Sequence, residues 1–201
     1  MKLPEPGNQR EVAPEGNHVA VCRQFIDLGT QTTVYKDDTK AQRKVLLGWE
    51  LCDESDSEGR PFMVFRRYTF SMYEAATFRK HLESWRGKKF QPEDFGPDGF
   101  DTKNLIGVPC MVQVSHSNGY ANVDAVGSLP KGMPKPEPKT EPLYFALQPG
   151  EFDSVVLSSL SDKLQETIRS APEFAALRQT RTVEDYVGEV EPVGDDLDSP
   201  F

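Results

Sequence analysis

SMYEAATFRKHLESWRGKK, residues 71–89, is the stretch on which the fold turns. Ser71 and Glu74 stand at capping-box spacing, Ala75, Phe78, Leu82 and Trp85 recur at helical intervals, and Gly87 ends the run, so the spacing predicts a helix from Ser71 to just before Gly87. What precedes it reads as β-structure. HVAVCRQFIDLG (18–29) alternates loosely and is rich in β-formers, which predicts a strand that ends or bulges at Gly29. A polar stretch follows. KVLLGWELC (44–52) then sets Val45, Leu47, Trp49 and Leu51 on one face, and across the turn DESDSEGR the aromatic run PFMVFRRYTF (61–70) completes a hairpin. Beyond the helix and a loop rich in Gly, Pro and Asp, NLIGVPCMVQVSHSNGYANVDAVGSLP (104–130) holds two β-runs around Asn118-Gly119, a hairpin turn signal.

The predicted order is strand, strand, strand, helix, strand, strand. That is the order of an OB-fold, a mainly β five-stranded barrel whose helix lies between the third and fourth strands. The Pro/Lys connector PKGMPKPEPKTEP (130–142) leads to a short apolar LYFAL. Next comes an amphipathic segment with Val156, Leu160, Leu164 and Ile168 on one stripe, expected to pack back on the barrel. With 201 residues, 37% hydrophobic and 27% charged, the chain suits one core of about 130 to 150 residues with appendages. The expected division is a flexible N-terminal arm (1–17), an OB-fold domain with a C-terminal helical extension (18–179) and a disordered acidic tail (180–201).

Charge is placed unevenly. Seven of the nine excess negative charges fall in 182–201, which has no Lys or Arg, leaving a net of −2 for the rest. Residues 60–90 carry eight Lys and Arg against Glu74 and Glu83, so a basic segment and an acidic tail share one chain. No run of 18 apolar residues and no signal-peptide pattern is present, which predicts a soluble, cytoplasmic protein without membrane contact. Cys22, Cys52 and Cys110 lie in apolar or β-like runs without Cys-x-x-Cys spacing and read as buried free thiols. Phosphate-loop, dinucleotide-binding, zinc-protease and nucleophile-elbow motifs are all missing. His18, His81 and His116 lack paired ligand spacing. No catalytic residue, metal or cofactor is therefore assigned.

The residues that remain describe a binding surface. In OB-folds that hold oligonucleotides, the ligand crosses strands two and three between the loop joining strands one and two and the loop joining four and five. Tyr35, Lys36, Arg43 and Lys44 fall in the first loop, with Lys40. Phe65, Arg66 and Arg67 fall on the third strand, and His116 and Tyr120 in the second loop. Cations bind phosphates and rings stack on unpaired bases, so the expected ligand is single-stranded DNA. Strand parity sends Phe65 and Arg67 outward and Phe62, Val64, Tyr68 and Phe70 inward, while Trp49 shares the core face. For Arg86, Lys88 and Lys89 in SWRGKKF two readings stand open: phosphate contacts, or a basic helix end complementing the dipole with Trp85 and Phe90 covering the barrel.

The final residues, DDLDSPF (195–201), resemble the C-terminal tip of bacterial and bacteriophage single-stranded DNA-binding proteins, and GWEL, YTFS, LESWRG and LPKG share a looser likeness with the phage members. Bacterial members end in three consecutive Asp, an Ile and Pro-Phe; here Leu197 interrupts the aspartates and Ser199 takes the aliphatic position. The resemblance implies a protein that coats single strands in replication, recombination and repair. It also implies a tail (Asp195, Asp196, Asp198, Pro200, Phe201) that docks a polymerase, helicase, primase or nuclease. A terminal ring beside a carboxylate suits an apolar pocket rimmed by Arg or Lys. A homodimer is compatible with this. Two other functions fit the same chain: a strand-annealing mediator, and an acidic adaptor engaging a proline-binding domain through PKPEPKTEP.

Overall fold

A computed structural model describes residues 11–35, 38–97 and 99–178. Residues 1–10, Lys36 and the acidic stretch with Asp195, Asp196, Asp198, Pro200 and Phe201 lie outside the described residues, as does the expected disorder of the tail.

The chain is mainly β. Strands β1 (Gly16–Tyr35), β2 (Asp38–Ser55) and β3 (Pro61–Thr69) form an antiparallel meander, helix α1 (Thr77–Arg86) follows, and β4 (Pro109–Ser117) and β5 (Tyr120–Gly127) form a hairpin. The sheet order is β3-β2-β1-β4-β5, with the short β6 (Leu143–Phe145) parallel to β1. Among the described residues no ladder joins β3 to β5, so the expected barrel is not closed by backbone pairing. The two edges are instead bridged by a side chain: Arg66 Nη1 donates to the carbonyls of Val123 and Asp124.

Period-2 alternation sorts the side chains between two cores. Val45, Leu47, Trp49 and Leu51 of β2 join Val64, Tyr68, Val112, Val114, Val123 and Val126 on the inner face, capped by Phe78, Leu82 and Trp85 of α1. Leu46 points the other way. With Ile26 and Leu28 it is covered by Phe145, Leu147, Leu157, Leu160, Ile168 and Ala171 of the C-terminal extension. Each fully buried aliphatic side chain contributes about 1.5–3 kcal/mol, so the extension is held by its own core rather than by surface contacts. All three cysteines are free; burial pushes the Cys22 thiol up to about 12 and Cys52 to about 11, which leaves them un-ionised near neutrality.

Four expectations change. The helix starts at Thr77, not Ser71, because Ser71 Oγ accepts from the amide of Tyr73 in a local turn instead of capping a helix. The polar stretch after Gly29 is strand: β1 bulges between Asp27 and Gly29, where Gly29 has φ 68°, and then pairs with β2 from Thr30↔Arg43 to Tyr35↔Asp38 as a ribbon beyond the sheet. The amphipathic segment breaks into α2 (Ser154–Ser159), α3 (Asp162–Arg169) and a helical turn over 172–178, although its stripe packs as expected. Of the expected arm, Gly16 and Asn17 open β1 and residues 11–15 lie against the sheet, with Ala13 buried and Glu11 and Glu15 accepting from Ser57 and from the His116 amide.

Candidate functional site

At the foot of the β1–β2 ribbon lies a groove of about 780 Å³. One wall is the ribbon's outer face, with Gln31, Gln42 and Lys44; the other is the end of β3 and the turn before α1, with Arg66, Arg67, Thr69 and Tyr73. Among the described residues three cations line it and no carboxylate does. Lys44 Nζ is held by Gln42 Oε1 (2.8 Å) and Thr69 Oγ1 (2.7 Å), neutral acceptors that orient the ammonium without cancelling its charge. Arg67 is exposed on the outer face of β3, and Phe65 beside it is 39% exposed. Gly48 makes room for that ring: a Cβ there would sit 2.6 Å from Phe65 Cε1.

A second cavity, of about 470 Å³, has the opposite electrostatics. Among the described residues, Phe25, Phe70, Phe100 and Tyr144 share its walls with Asp27, Asp101, Glu151 and Arg43, and Lys103 pairs with Glu151 beside the Tyr144 ring. Here Arg43 pairs with buried Asp27 (2.5 Å) and donates to the Leu147 carbonyl, while Asp27 also accepts from the amides of Leu147 (3.1 Å) and Gly29 (3.0 Å). The hydrogen bond to Asp27 holds the Arg43 guanidinium above its usual range. Arg43 therefore ties the extension to β1.

Two more carboxylates serve the same end. Glu50, only 1% exposed, accepts from the amides of Lys139 and Thr140 (2.7 Å each) and from Thr140 Oγ1 (2.5 Å), and Arg23 donates to the Thr140 carbonyl. Burial pushes the Glu50 carboxyl up, but the bonds from Thr140 and Lys139 outweigh it and leave the group below its ordinary value. Glu173 accepts from Thr30 through its amide (2.9 Å) and hydroxyl (2.6 Å) and is likewise lowered, its burial being offset by those bonds. The connector thus becomes a strap lying on the outer face of the sheet at the level of Glu50 and its partner Met63.

Of the sequence-predicted residues, Lys44, Arg66 and Arg67 meet in the groove, with Phe65 next to Arg67 on β3. Arg66 is partly committed to the β5 carbonyls. Arg43 faces the other side of β2. Of Tyr35 only the backbone is described, at the end of β1. Arg86 is tied to Asp94 (2.6 Å) and covers the Phe90 ring at 4.2 Å, Lys88 lies 3.7 Å from Asp94, and Lys89 is exposed. Trp85 and Phe90 are buried, the arrangement of the second reading of SWRGKKF. His116 Nε2 lies 2.7 Å from the Ala13 carbonyl oxygen, and Tyr120 is 73% exposed at the β4–β5 turn, beyond the end of β1 where Gly16 pairs with Val114. These two are not brought to the groove. Among the described residues no group of three or more His, Cys, Asp or Glu is placed to hold a metal, and no helix is long and apolar enough to cross a membrane.

Sequence reasoning missed Tyr73, which it placed inside a helix, and Glu50. The signal for Glu50 was present: a carboxylate between Trp49 and Leu51 in an apolar strand needs a partner. Compared with protein-family models and with curated proteins, the chain matches none.

Proposed function

We propose that the chain is a single-stranded DNA-binding protein built on an OB-fold, without catalytic activity. One observation carries the reading: in a chain of net charge −9, the groove beside β3 gathers Lys44, Arg66 and Arg67 and, among the described residues, no carboxylate, with exposed rings at Phe65 and Tyr73. Three cations answer a phosphate backbone, and rings answer the base faces that only an unpaired strand exposes. The strand order supports the OB reading, as do the helix between β3 and β4 and the Arg66 bridge across the β3–β5 seam. The acidic residues of 182–201 are proposed to recruit replication or recombination enzymes.

Titration of labelled oligo-dT with duplex DNA as competitor tests the reading. Three neutralised phosphates on a single strand give a slope of log K against log salt of about −2. Affinity that ignores salt, or duplex that competes equally, overturns it.

A further inference from the structure

On the outer face of the sheet the exposed side chains of β3 are Phe65 and Arg67, whereas Leu46 and Glu50 of β2 are buried. Register places four levels along that face: Lys44↔Thr69 beside Gly29 at the groove, Leu46↔Arg67 beside Ile26, where Arg67 is exposed while Leu46 and Ile26 lie under the extension, Gly48↔Phe65 beside Gln24, and Glu50↔Met63 beside Val21. The strap sits on the fourth, pinned by Glu50 through Lys139 and Thr140 and by Arg23, with Thr140 Oγ1 4.0 Å from Met63 Sδ. Followed along the two strands toward the β4–β5 hairpin, the face therefore ends one level past Phe65. In the other direction the β3 edge of the face runs about 14 Å from Phe65 past exposed Arg67 to Thr69 and into the groove.

Tyr73 stands on that side. Its side chain lines the groove and is 84% exposed, although the chain on both sides of it is anchored. Its amide donates to Ser71 Oγ (3.3 Å), its carbonyl accepts from Ala76 (2.9 Å), and the Met72 carbonyl accepts from Arg79 Nη1 (3.0 Å). Arg79 is fixed in turn by Glu83 at 2.9 Å. A ring presented to solvent on a turn fixed by hydrogen bonds loses little freedom when a base stacks on it.

Resting on the single-strand reading, we infer that a bound strand runs from Phe65 toward the ribbon, with a base stacked on Tyr73 and flanking phosphates at Lys44 and Arg67, and that Tyr120 takes no part. Oligo-dT binding to the full chain and its variants tests this. Tyr73→Ala is expected to weaken binding about five- to a hundredfold, while Tyr73→Phe and Tyr120→Ala stay within about twofold. Trp49 and Trp85 are buried, so an indole introduced by Tyr73→Trp reports separately, and oligo-dT should quench it. The inference is overturned if Arg67→Ala weakens binding but Tyr73→Ala does not, or if Tyr120→Ala carries the loss. Absence of oligo-dT binding by the unmodified chain would instead remove the single-strand reading, and this inference with it.

Discussion

Arg67 and Arg86 show how little a guanidinium's presence in a basic segment says about its use. Arg67 projects from an outer-face position of β3 beside the groove, whereas Arg86 is 24% exposed, bonded to Asp94 and stacked over Phe90. A charge already paired and covering a ring has little left for a phosphate. Arg67→Ala is accordingly expected to weaken oligo-dT binding and to reduce the salt slope by about 0.7. Arg86→Ala should leave both unchanged and lower thermal stability instead. Equal effects of the two on the slope would mean that the strand follows the basic segment and not the groove.

At the scale of elements, Glu50 latches the connector, and Asp27 and Glu173 latch the C-terminal extension. Glu50 and Glu173 ionise below their ordinary value of 4.5 in the fold, so the unfolded chain binds more protons in acid and the latches contribute stability above about pH 4.5. That contribution is lost as the pH falls through the folded values. Protection factors of the Lys139 and Thr140 amides should therefore drop on acidification below about pH 4.5 before those of α1 do. Glu50→Gln keeps one accepting oxygen but turns an NH2 toward the donors of the other, and is expected to cost about 1–3 kcal/mol in denaturant unfolding and to remove the Glu50 share of that pH dependence. Protection that holds in acid would show that the strap is kept down by packing alone.

Over the whole molecule, the groove's cations coexist with seven acids in 182–201. Those acids and a nucleic-acid strand are alternative counter-charges for Lys44, Arg66 and Arg67. Deleting 182–201 changes the net charge from −9 to −2 and is expected to tighten oligo-dT binding at low salt, with the gain fading above about 0.1 M, where the Debye length is about 10 Å. Unchanged affinity at low salt would separate the acidic stretch from the groove.

Local patterns determined much of this by themselves. Alternation in KVLLGWELC sends Val45, Leu47, Trp49 and Leu51 to the core, Asn118-Gly119 turns the β4–β5 hairpin, and Phe78, Leu82 and Trp85 seat α1, because period and turn chemistry act over a few residues. The outward placement of Phe65 and Arg67 follows from the same parity. Other features depend on partners far along the chain, which no short window contains. The polar stretch after Gly29 extends as a ribbon because its backbone pairs with residues 38–43, and Arg43 is diverted to Asp27 and Leu147. Glu50 finds its donors about 90 residues away, and the strap it holds covers the outer face at the Glu50 level. The mainly β class was thus set by nearest-neighbour chemistry, but the placing of the connector and the extension on the sheet was decided by long-range hydrogen bonds to buried carboxylates.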